Sequence, residues 1–580
     1  MAAGILAVLS LGQPLSAQTR SASLDKAVKA RIARSTPRTR VIIRVDRGRR
    51  PLLRALVSRT AGVIPRREFS RLSAFTMEVP TRVIPMLAKI PGVLSISIDA
   101  PMRSTTAVPT DGVVLQQTLG YLPADGLTGA GVGVGIIDSG LSPTADFANR
   151  ITAFYDFTLP QPGGVATAPT DPYGHGTHVA GLVGGSGLMS GGLYKGVATG
   201  VSLIGLKVLA ADGSGYTSDV IEAVEFATAN KAALHIDVLN MSLGHPPYES
   251  PDTDPLILAV NNATAAGIVV VVASGNAGIN PATGLPGYAG IMVPGSAASV
   301  LTVGATQTMG TVGREDDTMG PYSSRGPTWY DGLVKPDVVA PGTNVVAPAA
   351  PGNQIGTLHP NLLMNGTSEN PSAYMRLTGT SMSSAVVAGV VATMIEAHRT
   401  AFPSSPALTP NTIKAILQFT AVKMTDPTTG LPYDALTQGT GAVNAMGALA
   451  LTRAIDTSVA VGYGWTITGL ARESTIGGSL LPWGQNIVWG DNIVWGDSIF
   501  MNNIVWGDNI VWGDNIVWGD NIVWGDNIVW GDNIVWGDNI IWGDNIVWGD
   551  NIVWGDNIVW GDNIVWGDNI VWSDSILWLY

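Results

Sequence analysis

The strongest constraint on this chain is a six-residue repeat, Asn-Ile-Val-Trp-Gly-Asp, that fills about its last hundred residues. Trp recurs at every sixth position from Trp506 to Trp572, and the register slips once, between Trp495 and Trp506. Ile, Val and Trp favour strands, whereas Gly, Asp and Asn favour turns. Three-residue strands joined by three-residue turns predict a β-solenoid, in which stacked coils bury what one repeat cannot bury alone.

The charge of the repeat works against that stacking. Residues 483–580 contain 14 Asp and no Lys or Arg, and stacked coils would align these carboxylates about 4.8 Å apart. A solenoid of this sequence would therefore need cations, while the same Asp residues would act as gatekeepers against fibre formation. Two other interpretations stay open, a disordered spacer and an aggregation-prone adhesive strip.

Positive and negative charges are unevenly distributed along the rest of the chain. Residues 1–103 carry 19 Lys and Arg against 5 Asp and Glu, and residues 104–482 carry 13 against 25. A basic segment on an acidic remainder is typical of nucleic-acid binding or of a detachable piece complementary to the body. Because the arginines are scattered through an apolar pattern, no nucleic-acid partner is expected. The absence of Cys excludes a disulfide scaffold, thiolate metal sites and a Cys nucleophile.

The start of the sequence is typical of a secretory signal. An apolar run at residues 4–11 precedes the small residues Ser16 and Ala17, which predicts a signal peptide over residues 1–17. No Lys or Arg precedes the run, so an upstream start or a frayed terminus stays open. The longest later apolar run, residues 385–395, is shorter than the roughly 20 residues that a bilayer requires, and no transmembrane helix is expected.

Two patterns of secondary structure follow. Residues 40–100 predict a βαββαβ order of ferredoxin-like type. Beyond Gly131, strands that are apolar throughout alternate with helices, which predicts an α/β fold with a parallel sheet covered on both faces. The predicted strands are residues 132–137, 201–208, 238–241, 268–273 and 300–303, and the predicted helices are residues 176–184, 217–230, 255–266, 381–399 and 410–419. In such sheets, active groups gather where strands end.

Three short segments of this α/β region carry candidate chemistry. GVGIIDSG at residues 133–140 ends a strand in Asp138, GHGTHVAG at 174–181 opens a helix with His175, and LTGTSMSSA at 377–385 opens another with Ser381. Taken separately, Asp138 fits a cap or turn carboxylate and Ser381 fits a helix N-cap. His175 and His178 lack the third ligand and the Glu of a helical zinc site, so no metal is expected.

The order of the three residues discriminates between hydrolase classes. Asp, His and Ser in that chain order follow the subtilisin arrangement. An α/β-hydrolase would need Gly-x-Ser-x-Gly, but Ser383 stands at the second glycine, and only His398 follows the serine.

The segments around Asp138, His175 and Ser381 resemble those of the subtilases, the subtilisin-like serine peptidases, over residues 110–455. LNMSLG at 239–244 is similar to the substrate-binding strand of that family, ASGNAG at 273–278 to its oxyanion segment, and KPDVVAPG at 335–342 to a later signature. The resemblance implies a subtilisin-like fold, mostly a parallel sheet with helices on both faces, and a serine endopeptidase that acts through an acyl-enzyme.

The resemblance also implies residue roles. It makes Ser381 the nucleophile, His175 the base and Asp138 its orienting carboxylate. The oxyanion donors would be the Asn276 side chain and the Ser381 backbone N–H, and the substrate-binding residues would be Ser242, Leu243, Gly244 and Gly275. No cofactor is expected for the chemistry. Structural calcium is common in the family, but no run of carboxylates in this sequence identifies ligands.

The sequence therefore divides into five predicted parts. Residues 1–17 are the signal peptide, 18–107 an inhibitory propeptide cut near residues 103–108, 108–455 the peptidase, 456–482 a linker and 483–580 the repeat tail. The basic propeptide should bind the acidic body electrostatically.

The expected partners are protein and peptide substrates and the chain's own propeptide. The tail is expected to contact a cell surface or to self-associate. The alternative is a surface adhesion or structural protein that carries a catalytically inactive protease-like domain. His178 and Met382 are expected to pack, and residues 342–379 to form a surface loop.

Overall fold

The computed structural model of the chain describes residues 22–58, 63–103, 115–121, 126–364, 374–460, 464–467 and 469–489, and beyond these only strands of the repeat. The predicted signal peptide and most of the predicted cleavage region lie outside the described residues. The chain divides into two compact units, Met1–Asp99 and Ala100–Tyr580.

The first unit is a five-stranded sheet with helices. Its elements are β1 (Ser23–Leu24), α1 (Lys26–Ala33), β2 (Arg38–Val45), α2 (Arg50–Ser58), β3 (Ile64–Phe69), β4 (Ala74–Pro80), α3 (Ile84–Leu87) and β5 (Val93–Ile98). The sheet order is β1-β5-β2-β4-β3, with β1 parallel to β5 and antiparallel pairing between the others. Buried side chains such as Val41, Ile43 and Phe75 form its core. The six predicted elements occur in the predicted order, and β1 and α1 precede them.

The second unit is built on an α/β sheet. Its strands before the repeat are β6 (Pro101–Arg103), β7 (Gly133–Asp138), β8 (Ile151–Asp156), β9 (Val165–Ala166), β10 (Ser202–Lys207), β11 (Ser214–Tyr216), β12 (Ile236–Met241), β13 (Val269–Ala273), β14 (Leu301–Gln307), β15 (Thr318–Met319), β16 (Val338–Pro341), β17 (Val345–Pro348), β18 (Leu363–Met364), β19 (Tyr374–Leu377), β20 (Glu473–Ile476) and β21 (Ser479–Pro482). Its helices are α4 (Leu115–Thr118), α5 (His175–Gly184), α6 (Thr217–Ala229), α7 (Pro255–Ala265), α8 (Gln354–Leu358), α9 (Thr380–Ala401), α10 (Pro410–Thr420), α11 (Ala435–Gln438) and α12 (Ala445–Thr452).

The main sheet runs β15-β14-β13-β12-β7-β10-β8-β9, with β16 also paired to β14. β9 and β15 are antiparallel to their neighbours, and the other pairs are parallel. Central strands β7 and β13 are buried along their whole length, as expected of strands covered on both faces. Every predicted strand and helix of this region is present, and the predicted α/β fold class is confirmed.

Helix α9 lies in the core of the second unit. Among the described residues it is the one helix long and apolar enough to cross a membrane, but 89% of its apolar window is buried inside the fold. The core helix of a globular domain passes the same test. It packs against α5, β12, β13 and β14, so its apolar composition is explained by burial on all sides.

The prediction of a surface loop over residues 342–379 is wrong for the described part of that segment. Strands β17, β19 and β18 form an antiparallel sheet in that order, and α8 lies between β17 and β18. The Pro, Asn and Gly residues that suggested a loop lie mainly between these short elements. Val345, Met375 and Leu377 are buried in the main core, so the segment is part of the fold.

In the repeat segment, β22 (Asn486–Trp489) and β23 (Asn492–Trp495) form an antiparallel hairpin. The later strands are β24 (Ile510–Trp512), β25 (Asn515–Trp518), β26 (Asn521–Trp524), β27 (Asn527–Trp530), β28 (Asn533–Trp536), β29 (Asn539–Trp542), β30 (Asn545–Trp548), β31 (Asn551–Trp554), β32 (Asn557–Trp560), β33 (Asn563–Trp566), β34 (Asn569–Trp572) and β35 (Ile576–Leu577). They form three parallel four-stranded sheets in which every third strand pairs. Asn515, for example, pairs with Asn533. This backbone pairing is that of a three-sided β-solenoid, and most strands have four residues where the sequence predicted three.

Candidate active site

Asp138 and His175 meet at the carboxyl end of β7. Asp138 is the last residue of that strand and His175 is the first of α5. Gly174, with φ of +99°, provides the left-handed backbone that turns the chain into the helix. The His175 Nδ1 lies 2.7 Å from Asp138 Oδ1, and both side chains are fully buried. This is the geometry in which a carboxylate fixes the tautomer and orientation of an imidazole.

Asp171 braces the start of α5, a role that the sequence analysis missed. Its Oδ1 accepts hydrogen bonds from Ser139 Oγ at 2.8 Å and Gly174 N at 2.9 Å. Its Oδ2 accepts from Thr177 N at 2.8 Å and Thr177 Oγ1 at 2.7 Å. Since Ser139 follows Asp138 and Thr177 lies two residues beyond His175, this buried carboxylate holds the two candidate residues in register.

A lysine lies behind these carboxylates. Lys207 lies on strand β10 and is the register partner of Asp138 on the neighbouring strand β7. Its Nζ donates to Ser139 O at 2.7 Å and to Leu209 O. Burial lowers the pKa of the Lys207 ammonium, while nearby Asp171, Asp156 and Asp138 act in the opposite direction. Its charge offsets that of the acidic residues in a region from which water is largely excluded.

Ser381 is the second residue of α9 and is buried. Its hydroxyl donates to Ser242 O at 3.0 Å, and Ser242 Oγ donates back to Ser381 O at 2.9 Å. The His175 Nε2 atom is buried and has no hydrogen-bond partner among the described residues. Helices α5 and α9 pack against each other. The serine hydroxyl is therefore bonded to the segment predicted to bind substrate, while the imidazole Nε2 has no hydrogen-bond donor among the described residues.

Asn276 is oriented by Thr380, the residue before Ser381. The Asn276 Oδ1 atom accepts from Thr380 N and from Thr380 Oγ1, both at 3.0 Å. The Thr380 hydroxyl also accepts from Gly275 N at 3.2 Å. Because Thr380 holds the oxygen end of the amide, the opposite NH₂ end points away from Thr380. Thr380 lies in the same motif as Ser381, but Asn276 is 104 positions earlier, so the sequence alone gives no sign of this contact.

A small cavity adjoins Ser381. It is lined by Ser242, Leu243, Gly244, Ala273, Gly275, Met292 and Ser381. The four residues predicted to bind substrate, Ser242, Leu243, Gly244 and Gly275, thus share one cavity with the candidate nucleophile. Met292 comes from a segment that the sequence analysis did not single out.

The two residues expected to pack do so. His178 is fully buried, and its Nε2 lies 3.2 Å from Val345 O and 3.0 Å from Met375 O. Burial, together with the nearby His175, lowers the pKa of His178 to about 3. Met382 is fully buried in the main core. No cluster of three or more His, Cys, Asp or Glu that could hold a metal occurs among the residues that the structure describes, so calcium binding stays a prediction without identified ligands.

Comparisons with known proteins identify the family of this chain. A family model described as "Subtilase family" matches residues 129–448. The chain is 34% identical to serine protease AprX of Bacillus subtilis over 383 residues, which cover 65% of this chain and 79% of that protein. It is 35% identical to subtilisin BL of Lederbergia lenta over 272 residues, 46% of this chain and 77% of that one.

A solved structure shares the fold. The crystal structure of fervidolysin from Fervidobacterium pennivorans, a keratinolytic enzyme related to subtilisin, aligns with a TM-score of 0.52 at 19% identity. The alignment covers 71% of this chain and 61% of that one, so it spans less than two thirds of the solved chain. At this identity the likeness concerns the fold alone.

Proposed function

Because this chain belongs to the subtilase family of serine peptidases, we propose that it is a secreted endopeptidase, made as a zymogen, that hydrolyses protein substrates with Asp138, His175 and Ser381. The observation that carries the proposal is the 2.7 Å contact between His175 Nδ1 and Asp138 Oδ1. Ser381 bonds to Ser242, the residue that follows β12, and β12 lies next to β7 in the sheet. Asp171 accepts hydrogen bonds from Ser139 and Gly174, the residues next to this pair, and Lys207 donates to the Ser139 carbonyl.

The chemistry begins at Ser381. Rotation of its hydroxyl away from Ser242 O would let the proton pass to His175 Nε2 as the oxygen attacks the substrate carbonyl. The imidazolium that forms is stabilised by Asp138, and it then returns the proton to the leaving amine. Water repeats the sequence on the acyl-enzyme, with His175 again as the base. Hydrogen bonds of this kind are often incomplete before substrate binds.

The developing oxyanion needs donors that are already in place. The Asn276 NH₂ and the Ser381 backbone N–H, at the start of α9, would supply them. Thr380 makes the amide ready by holding Asn276 Oδ1 with two hydrogen bonds. An extended substrate would pair its backbone with Ser242, Leu243 and Gly244, the β-augmentation mode of peptide recognition.

The zymogen part of the proposal is supported by the segment that follows the first unit. Within the second unit, strand β6 pairs antiparallel with β11, and Ala100 O accepts from Thr217 N at 2.9 Å and Thr217 Oγ1 at 3.0 Å. This extended segment is held in the way that a bound peptide strand is held. The first unit would act as the inhibitory propeptide, with its net positive charge aiding binding to the acidic body.

Labelling with a fluorophosphonate probe tests the catalytic proposal. The processed protein should be labelled, Ser381→Ala should not, and Ser383→Ala is the matched control because Ser383 lies on the same helix and bonds Ala340 O instead. Unlabelled parent protein would favour the inactive adhesion or structural protein. For the zymogen, sequencing of the active form should give a start near residues 103–108, and a start near Gln18 would contradict it.

A further inference from the structure

The cavity beside Ser381 is very small. Its volume is about 10 Å³, which is room for about one water molecule. All seven lining residues are uncharged, and they include Ser381 and Gly275, the neighbour of Asn276. Because the cavity adjoins both the nucleophile and the oxyanion segment, we take it as the space that receives the side chain of the residue whose carbonyl Ser381 attacks, called here the acyl residue.

Met292 is fixed to both walls of the cavity through the backbone. Its N–H donates to Ser274 O at 3.0 Å, next to Gly275. The following residue, Val293, exchanges two backbone hydrogen bonds with His245, of 3.1 and 2.9 Å, next to Gly244. These backbone hydrogen bonds place Met292 between the segment that contains Gly275 and the segment that contains Gly244.

Both wall glycines lie against the Met292 side chain. A Cβ added to Gly275, whose φ is +105°, would lie 2.8 Å from Met292 Cγ and 3.3 Å from its Sδ. A Cβ added to Gly244 would lie 3.2 Å from Met292 Cβ. The methionine therefore fills the space between the walls that a larger acyl side chain would have to enter.

We propose that Met292 is the specificity-determining residue of this enzyme and that it restricts the acyl residue to small uncharged side chains, those of glycine, alanine and serine. This inference rests on the proposed peptidase function. It extends that function, because nothing in the catalytic arrangement of Asp138, His175 and Ser381 selects a side chain. One methylene too many in such a pocket changes kcat/KM by about 10-fold or more.

The test uses the processed enzyme and a series of peptides that differ only at the acyl residue, which is Ala, Leu, Phe or Lys. The unmodified enzyme should cleave the Ala peptide with a kcat/KM at least about tenfold above that for Phe or Lys. Met292→Ala removes Cγ, Sδ and Cε and should raise kcat/KM for the Phe peptide about tenfold or more. Met309→Ala is the matched control, because Met309 is exposed and does not line the cavity.

The outcomes separate this inference from the function on which it rests. Fluorophosphonate labelling with equal cleavage of the Ala and Phe peptides would overturn the role of Met292 and leave the peptidase intact. An unchanged kcat/KM for the Phe peptide in a folded Met292→Ala variant that is still labelled would also overturn the role of Met292. Absence of both labelling and cleavage would overturn the proposed function and this inference together. The profile of the unmodified enzyme tests the restriction to small side chains even if the variant fails to fold.

Discussion

At the scale of single residues, the candidate site depends on polar side chains that orient the candidate catalytic residues through hydrogen bonds. Asp171 satisfies four donors around His175, and Thr380 fixes the amide of Asn276. A buried group that loses its partner keeps its full desolvation cost. Substitution of such supporting residues should therefore reduce activity through the orientation of their neighbours.

The pair Asn276 and Thr380 gives a measurable case. Asn276→Ala should lower kcat by about 10²–10³, a magnitude taken from the loss of an oxyanion donor in a subtilisin. Thr380→Val deletes one of the two hydrogen bonds to Asn276 Oδ1 and should lower kcat about tenfold, with KM little changed, whereas Thr380→Ser should retain activity. In a double-mutant cycle, Thr380→Val should add nothing to Asn276→Ala. Fully additive losses would show that Thr380 does not act through Asn276.

At the scale of elements, the small sheet β17-β19-β18 and the neighbouring helix α8 support the helix that carries His175. The carbonyls of Val345 and Met375 both lie within hydrogen-bond distance of His178 Nε2 on α5. The backbone of Gln354 donates to Pro172 O at 2.9 Å, and that of Ile355 donates to Tyr173 O at 3.2 Å. The segment before His175 is thus fixed by residues some 180 positions later in the chain.

The repeat segment is an element with a testable period. Each strand pairs with the strand 18 residues away, and the repeat unit is six residues long. Deleting residues 545–550 replaces a strand by an identical one, so protection of the backbone amides from hydrogen exchange should be retained. Deleting residues 545–547 shifts the following residues by half a repeat and should locally abolish protection.

Hydrogen exchange with mass spectrometry on the full chain measures both variants against the parent. Equal exchange in the two deletions, or exchange at the rate of an unstructured chain in the parent, would contradict the solenoid.

At the scale of the whole molecule, the sequence was most informative where chemistry is local. Asp138, His175 and Ser381 each sit in a short segment whose glycines and small residues signal a turn or a helix start, and the main sheet follows from runs of buried β-branched residues. The contacts of Thr380 with Asn276 and of Met292 with Gly275 join separate segments, so sequence pattern does not reveal them. Asp171 lies close in sequence to Gly174 and Thr177, but a lone Asp before a helix carries no sign of four simultaneous hydrogen bonds. The sheet at residues 345–377 was mistaken for a loop, since its strands are short and flanked by Pro, Asn and Gly.

Global stability should fall in acid because of one buried histidine. Burial lowers the pKa of His178 to about 3, below the ordinary value of about 6.5 that it regains on unfolding. Between these values the unfolded chain binds the additional proton, so the free energy of unfolding decreases as pH falls from about 6.5 to about 3, on the order of 5 kcal/mol in all.

Denaturant unfolding of the full chain as a function of pH measures this. His178→Gln should flatten the dependence in that range by about 1.4 kcal/mol per pH unit, and His359→Gln, at an exposed position, should leave it unchanged. A slope identical in His178→Gln and the parent would refute the assignment.

The three-sided stacking also makes the length of the solenoid proportional to the number of repeats. Because three copies make one coil, each added set of three lengthens the shaft by one strand spacing, about 4.8 Å, without changing any existing pair. A gain or loss of repeats in sets of three would therefore change the length of the solenoid alone and leave the strand pairs of the remaining coils as they are.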